Sequence, residues 1–291
     1  ILFSSDEDTW DGNFNVTIHA PILTVSNPSF TDAGGDGVWD AGELINVVVL
    51  LNNEGSADHM MYPGVGLTEN SPDAIKNAVN RTIDEYSESL INTSKEIWNN
   101  PESGFKEFKT AKRVASWFQD LELEYSENIA ITGLVATVKG KAGDGPNIAV
   151  IGELDSMVVP GHVNEDPITH AAHACGHNIQ LGNMLGVAVG ICKSGALEHL
   201  SGTITFMAVP AEEYIELEFR NELREQGKLE FITGKGEFVR LGHFDGVDMA
   251  IMTHAASTDW DPSGINKDLM LSKGSNGLVA KRAEFIGKAS H

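Results

Sequence analysis

The sequence predicts an α/β domain, a mixed sheet with helices on both faces, preceded by a small all-β, sandwich-like module. Three observations carry that expectation. Strand-like and helix-like periods alternate from about residue 73 onward, short β-branched runs fill the first 72 residues, and acidic charge is concentrated in that first part. Residues 1–80 hold 12 acids and one base, whereas the other 211 residues hold 30 acids and 19 bases. Charge density therefore falls more than twofold across the boundary. The length of 291 residues suits one large or two ordinary domains.

In chain order, Asn13–Phe14–Asn15–Val16–Thr17–Ile18 alternates at period two, Ile22–Val25 follows Pro21, and Leu44–Leu51 is a β-branched run closed by Asn52–Asn53–Glu54–Gly55. Between the last two lies Asp32–Ala33–Gly34–Gly35–Asp36–Gly37–Val38–Trp39–Asp40–Ala41–Gly42–Glu43. It sets acids Asp32, Asp36, Asp40 and Glu43 at loop positions 1, 5, 9 and 12, Gly37 at the turn position 6 and Val38 at position 7, the spacing of a Ca²⁺ loop. Gly34 takes the third position in place of an acid; a bound Ca²⁺ is favoured over the plainer alternative, a solvated acidic turn between two strands.

From Asp73 the period becomes helical: Ile75, Ala78, Val79, Ile83, Tyr86, Leu90 and Ile97 recur at three- and four-residue steps, and Pro101 ends the run. A second helix is expected from Phe108 to Leu121. Strands follow at 133–138, 147–151 and 202–208, with a helix of small residues around 183–192 between the last two.

Composition narrows the function classes. The formal net charge is −22, which leaves phosphate backbones and anionic membranes without counter-charge. Apolar runs such as Ile148–Ala149–Val150–Ile151 are too short for a membrane span. Two cysteines, Cys175 and Cys192, do not make a disulfide framework and leave the compartment open. The start at Ile1 and the stop at His291 inside a strand-like segment read as a piece of a longer protein.

Three short segments carry chemistry. His173–Ala174–Cys175–Gly176–His177 places a thiol and an imidazole two residues apart across a glycine, both ligands suited to Zn²⁺ or Mn²⁺. The expected strand at 203–208 leads into Pro210–Ala211–Glu212–Glu213, where two adjacent carboxylates at a strand end point opposite ways, one to a metal and one to a water. His254 ends the apolar run Met249–Ala250–Ile251–Met252. Singly, each has a structural explanation: a buried cysteine, the start of an acidic surface stretch, a core histidine. In sequence order, each at or after an expected strand end, they describe an α/β site.

These residues resemble peptidase family M-twenty, the metallo-aminoacylases, and within it the aminobenzoyl-glutamate and auxin-conjugate hydrolases. The resemblance runs from about Ile75 to His291 and is carried by Ile97–Phe105, Gly152–Glu153–Leu154–Asp155, His173–His177, Pro210–Glu213, Phe244–Asp248 with His254, and Gly287–His291. It implies a zinc-exopeptidase-like catalytic domain at 73–277, after the module at 1–72, with 278–291 beginning a truncated lid and dimerisation domain. It implies two divalent ions, Zn or Mn, held by Cys175, His177, Glu213 and His254, with Asp155 orienting a ligand. Glu212 becomes the general base, and His291 the histidine that stabilises an oxyanion from a neighbouring subunit of a homodimer. The substrate class is an N-acyl or N-aroyl amino acid, or a dipeptide. Where many relatives carry His-x-Asp, this chain has Glu153–Leu154–Asp155, so that histidine ligand is absent. The family's last histidine ligand lies beyond His291.

The first module similarly resembles immunoglobulin-like modules on secreted bacterial peptidases, which leans the localisation towards secreted or surface-attached. The competing function is a Ca²⁺-binding attachment module carrying a truncated, inactive hydrolase domain.

Overall fold

The computed structural model describes residues 24–31, 46–52 and 71–256. Strands β1 (Thr24–Thr31) and β2 (Asn46–Asn52) pair antiparallel, from Thr24 opposite Asn52 to Thr31 opposite Asn46. The register shifts between Ser26 and Ser29, around Pro28, which has no N–H to give the ladder. These two strands belong to a different compact unit from residues 71–256. The Asp32–Glu43 loop with Asp36, Val38 and Asp40, the segment 278–291 and His291 all lie outside the described residues.

The second unit opens with α1 (Pro72–Asn99). Ser71 caps it by accepting the Ala74 N–H at 3.1 Å, Pro72 starts the first turn where its missing N–H costs nothing, and Asp73 complements the helix dipole. The helix stops two residues before Pro101, as the sequence requires. In α2 (Phe108–Asp120) the capping residue Glu107 turns its carboxylate inward. Glu102 takes over the cap, accepting the N–H groups of Lys109 and Thr110 at 3.0 and 2.9 Å.

There follow β3 (Glu124–Ile129), β4 (Gly133–Lys139), β5 (Asn147–Glu153), the short pair β6 (Met157–Val158) and β7 (Ala171–Ala172), α3 (His177–Lys193), β8 (Thr203–Val209), α4 (Leu217–Glu225), α5 (Gly234–Arg240) and β9 (Met249–Met252). The main sheet has the order β3-β4-β8-β5-β9. The first three strands are antiparallel neighbours, while β8, β5 and β9 run parallel. This is the expected mixed sheet. Glu124–Ile129 escaped the sequence reading because Glu-Tyr-Ser-Glu-Asn-Ile lacks a β-branched run, and pairing with β4 supplies the strand.

Side-chain alternation sorts the sheet's two faces. Leu134, Ala136, Phe206 and Ala208 pack with Leu90, Phe118, Leu181 and Leu185 from α1, α2 and α3. Their neighbours Ala149, Ile151, Met207 and Val209 pack on the other face with Leu223 and Phe238 from α4 and α5, and with Phe105. Helices thus cover both faces, and β8 is buried on each side from Thr205 onward, which is why Phe206–Met207–Ala208–Val209 reads as an apolar run.

Candidate metal centre

The parallel strands β5, β8 and β9 all end on the same edge, where an α/β sheet places its site. Glu153 closes β5 and Asp155 follows it; Glu212 and Glu213 follow β8; His254 follows β9. Cys175 and His177 reach the edge from the start of α3. Gly176 between them has φ +97°, and a Cβ there would stand 2.7 Å from the Ala255 Cβ. Only glycine makes that turn without strain, and the turn lets thiol and imidazole face one point.

The ligand atoms of Cys175, His177 and His254 lie within 4.8 Å of one another. Cys175 Sγ is 3.3 Å from His254 Nε2, and His177 Nε2 is 3.9 Å from Glu213 Oε1. His177 Nε2 and Glu213 Oε1 are buried without a hydrogen bond. A buried nitrogen and a buried oxygen without hydrogen-bond partners, beside a thiol and a second imidazole, are a donor set that fits Zn²⁺ or Mn²⁺. Asp155, fully buried, stands behind them. Its backbone carbonyl accepts from His177 Nδ1 at 2.8 Å, its carboxylate lies 3.4 Å from the same nitrogen, and Oδ2 accepts the Glu213 N–H at 2.9 Å. That contact fixes the imidazole tautomer with Nε2 toward the ligand cluster.

The two adjacent glutamates diverge for a reason other than strand alternation. β8 ends at Val209, so both lie in the loop beyond it. Ala211 at φ +50° turns that loop; its N–H donates to Glu107 Oε1 at 2.8 Å, and its carbonyl accepts from the buried Arg220 at 3.3 Å. Glu213 is tied to Asp155 and faces His177, whereas Glu212 faces Glu153 and Lys235.

Three participants were given no role in the sequence reading. Glu153, noted only where a histidine is missing, is buried with Oε2 3.0 Å from His177 Nε2. Lys235 contacts Glu153 and lies 3.5 Å from Glu212. Gln180, one turn along α3 from His177, accepts the Glu153 N–H at 2.6 Å and donates to the Thr253 carbonyl at 2.7 Å, joining the ends of β5 and β9. Glu153 belongs to the Gly152–Asp155 segment, but Gln180 and Lys235 belong to no spacing motif; Lys235 in Thr-Gly-Lys-Gly follows Glu212 by a helix and a loop and carries no local signal.

Set by protein groups alone, the charges are strongly biased. Burial works against the Glu153 carboxylate, but His177 and Lys235 outweigh it and hold its pKa at about 2. Burial likewise opposes protonation of His177, yet Asp155, Cys175 and Glu153 lift its pKa well above the usual histidine range. Glu212 moves the other way: burial and then the neighbouring Glu153 raise it.

No protein-family model matches the chain. It is 30% identical over 128 residues to the N-acetylcysteine deacetylase of Bacillus subtilis, covering 43% of this chain and 33% of that protein. It is 29% identical over 143 residues to the IAA-amino acid hydrolase ILR1-like 2 of Arabidopsis thaliana, covering 48% of this chain and 31% of that protein. The structure of the Bacillus subtilis YXEP protein, a dinuclear metal-binding peptidase of family M-twenty, is 24% identical with a TM-score of 0.44, over 60% of this chain and 42% of that one. The chain spans about a third of the length of these two curated relatives. By sequence, the α/β domain is thus similar to parts of a deacetylase of N-acetylcysteine and a hydrolase of IAA-amino acids.

Proposed function

We propose that this domain is the catalytic part of a metal-dependent amidohydrolase that cleaves the amide of N-acyl or N-aroyl amino acids. The observation that carries the reading is the meeting of Cys175, His177, His254 and Glu213 at one sheet edge, with Glu212 beside them. The relatives named as a deacetylase of N-acetylcysteine and a hydrolase of IAA-amino acids support the substrate class.

Cys175, His177, Glu213 and His254 would hold two divalent ions, Zn or Mn, which would supply Lewis-acid polarisation of the scissile carbonyl. Asp155 orients His177 and Glu213 through the contacts above. Glu212, with its raised affinity for a proton, takes one from the attacking water and returns it to the leaving amine nitrogen. His291 completes the site as an oxyanion donor from a second subunit.

Adjacent carboxylates with different roles fail differently. In the full-length protein Glu212→Gln keeps bound metal and loses turnover by a factor on the order of 10² to 10⁴. Glu213→Gln loses metal, and its activity returns in part with excess Zn²⁺ or Mn²⁺. Two silent variants in an assay on acyl and aroyl amino acids would falsify the reading, and metal loss in Glu212→Gln alone would reverse the two roles.

A further inference from the structure

Two unlike ligand groups meet at His177. On one side stand Cys175 and His254, on the other Glu153 and Glu212, and within each group the ligand atoms lie inside 4.8 Å of one another. His177 offers both groups a single nitrogen, because Nδ1 is engaged by the Asp155 carbonyl at 2.8 Å. That Nε2 is buried and makes no hydrogen bond, although Glu153 Oε2 lies 3.0 Å away. One imidazole lone pair serves one ion, so only one group can use it.

The carboxylate group already has a cation. Lys235 Nζ contacts Glu153 Oε1 and lies 3.5 Å from Glu212 Oε1. The fold is built to bring it there: a Cβ on Gly234 would stand 1.8 Å from the Pro210 carbonyl oxygen, and the Gly234 N–H points to the Ala211 carbonyl at 3.3 Å. The backbone carrying Lys235 therefore lies directly against the loop carrying Glu212. Glu153 is 1% exposed and needs a partner charge in that surrounding.

We propose that Lys235 is the resident cation of the Glu153–Glu212 pair, closing that pair to divalent metal and leaving His177 to the Cys175 side. A 2+ ion shared by the two carboxylates would sit at contact range from the ammonium in a poorly screened site, so lysine and metal exclude one another. The consequence separates the adjacent glutamates: Glu212 is paired with an ammonium and stays free of metal, as a proton acceptor must, while Glu213 faces the ligand nitrogen.

The test reads metal binding and not turnover, so its failure is distinct from failure of the hydrolase reading. The full chain is stripped with chelator and titrated with Co²⁺, followed by calorimetry and absorption. Lys235→Met takes up one equivalent more than the unsubstituted protein, and that extra ion adds no sulfur-to-cobalt charge-transfer band because its protein ligands are the two carboxylates. Lys235→Arg keeps the charge and the original count, and Lys235→Met combined with Glu153→Gln returns to it. An unchanged count in a folded Lys235→Met, or an extra equivalent in Lys235→Arg, overturns the proposal. Should Lys235→Met not fold, Glu153→Gln alone decides: an unchanged count supports the proposal, and the loss of one equivalent makes Glu153 a metal ligand and overturns it.

Discussion

Glu107 joins the site's floor to the chain's response to pH. It is fully buried, its two oxygens taken by the Thr132 hydroxyl at 2.6 Å and the Ala211 N–H at 2.8 Å. Burial, and then the charge of Asp155, lift its pKa from 4.5 to about 7. The folded chain therefore keeps a proton that the unfolded chain has released. Its contribution is fully present below pH 4.5 and is lost as pH rises through about 7, by an amount on the order of 3 kcal/mol. Glu107→Gln is neutral throughout, so urea melts at pH 5 and pH 8 should show a smaller loss of stability in the variant; an equal loss in both proteins counts against a buried, protonated Glu107. Cys175, His177, Glu212, Glu213 and His254 stood out in the sequence as a candidate metal site through their residue types and order, and the structure brings them together. Glu153, Lys235, Gln180 and Glu107 did not stand out, because their neighbours in space lie up to 104 residues away in the chain.

At the scale of elements, α3 carries both packing and chemistry. Its small residues were legible as a helix, but their purpose lies in a second helix. A Cβ on Gly182 would meet Ser94 Oγ at 2.2 Å, and one on Gly190 would meet Val79 at 2.9 Å, so these glycines let α1 approach closely. Gly190→Leu should cost roughly 1–3 kcal/mol in thermal or urea unfolding while leaving bound metal per folded molecule unchanged. Gly176→Ala belongs to the other end of the helix. It forces a Cβ into a left-handed turn and against Ala255, so it should lower metal affinity together with stability, by about 1–2 kcal/mol in the latter. Metal titration beside a melt tells the two apart: a Gly176→Ala that binds metal like the parent would mean that the turn does not set the ligands.

For the whole molecule the governing quantity is charge. A net −22 makes the folded chain repel itself, and the closely paired acids of the site add to that. Raising salt from about 10 to 150 mM shortens the screening length from roughly 30 to 8 Å. The melting temperature should therefore rise by a few degrees, with a fall pointing to ion pairs as the dominant electrostatic contribution. Sequence by itself determined the α/β class, the positions of α1, α2 and the buried strands, the later part of α3 but not its first turns from His177, and the candidate metal-binding residues, because periodicity and ligand chemistry are local properties. Tertiary structure alone decided that β3 is a strand, that the Ala211 turn rather than strand alternation parts Glu212 from Glu213, and that Lys235 stands against Glu153. Those outcomes depend on which distant segments share the sheet edge, and hydrogen bonds and charges act over a few ångströms regardless of how much chain lies between them.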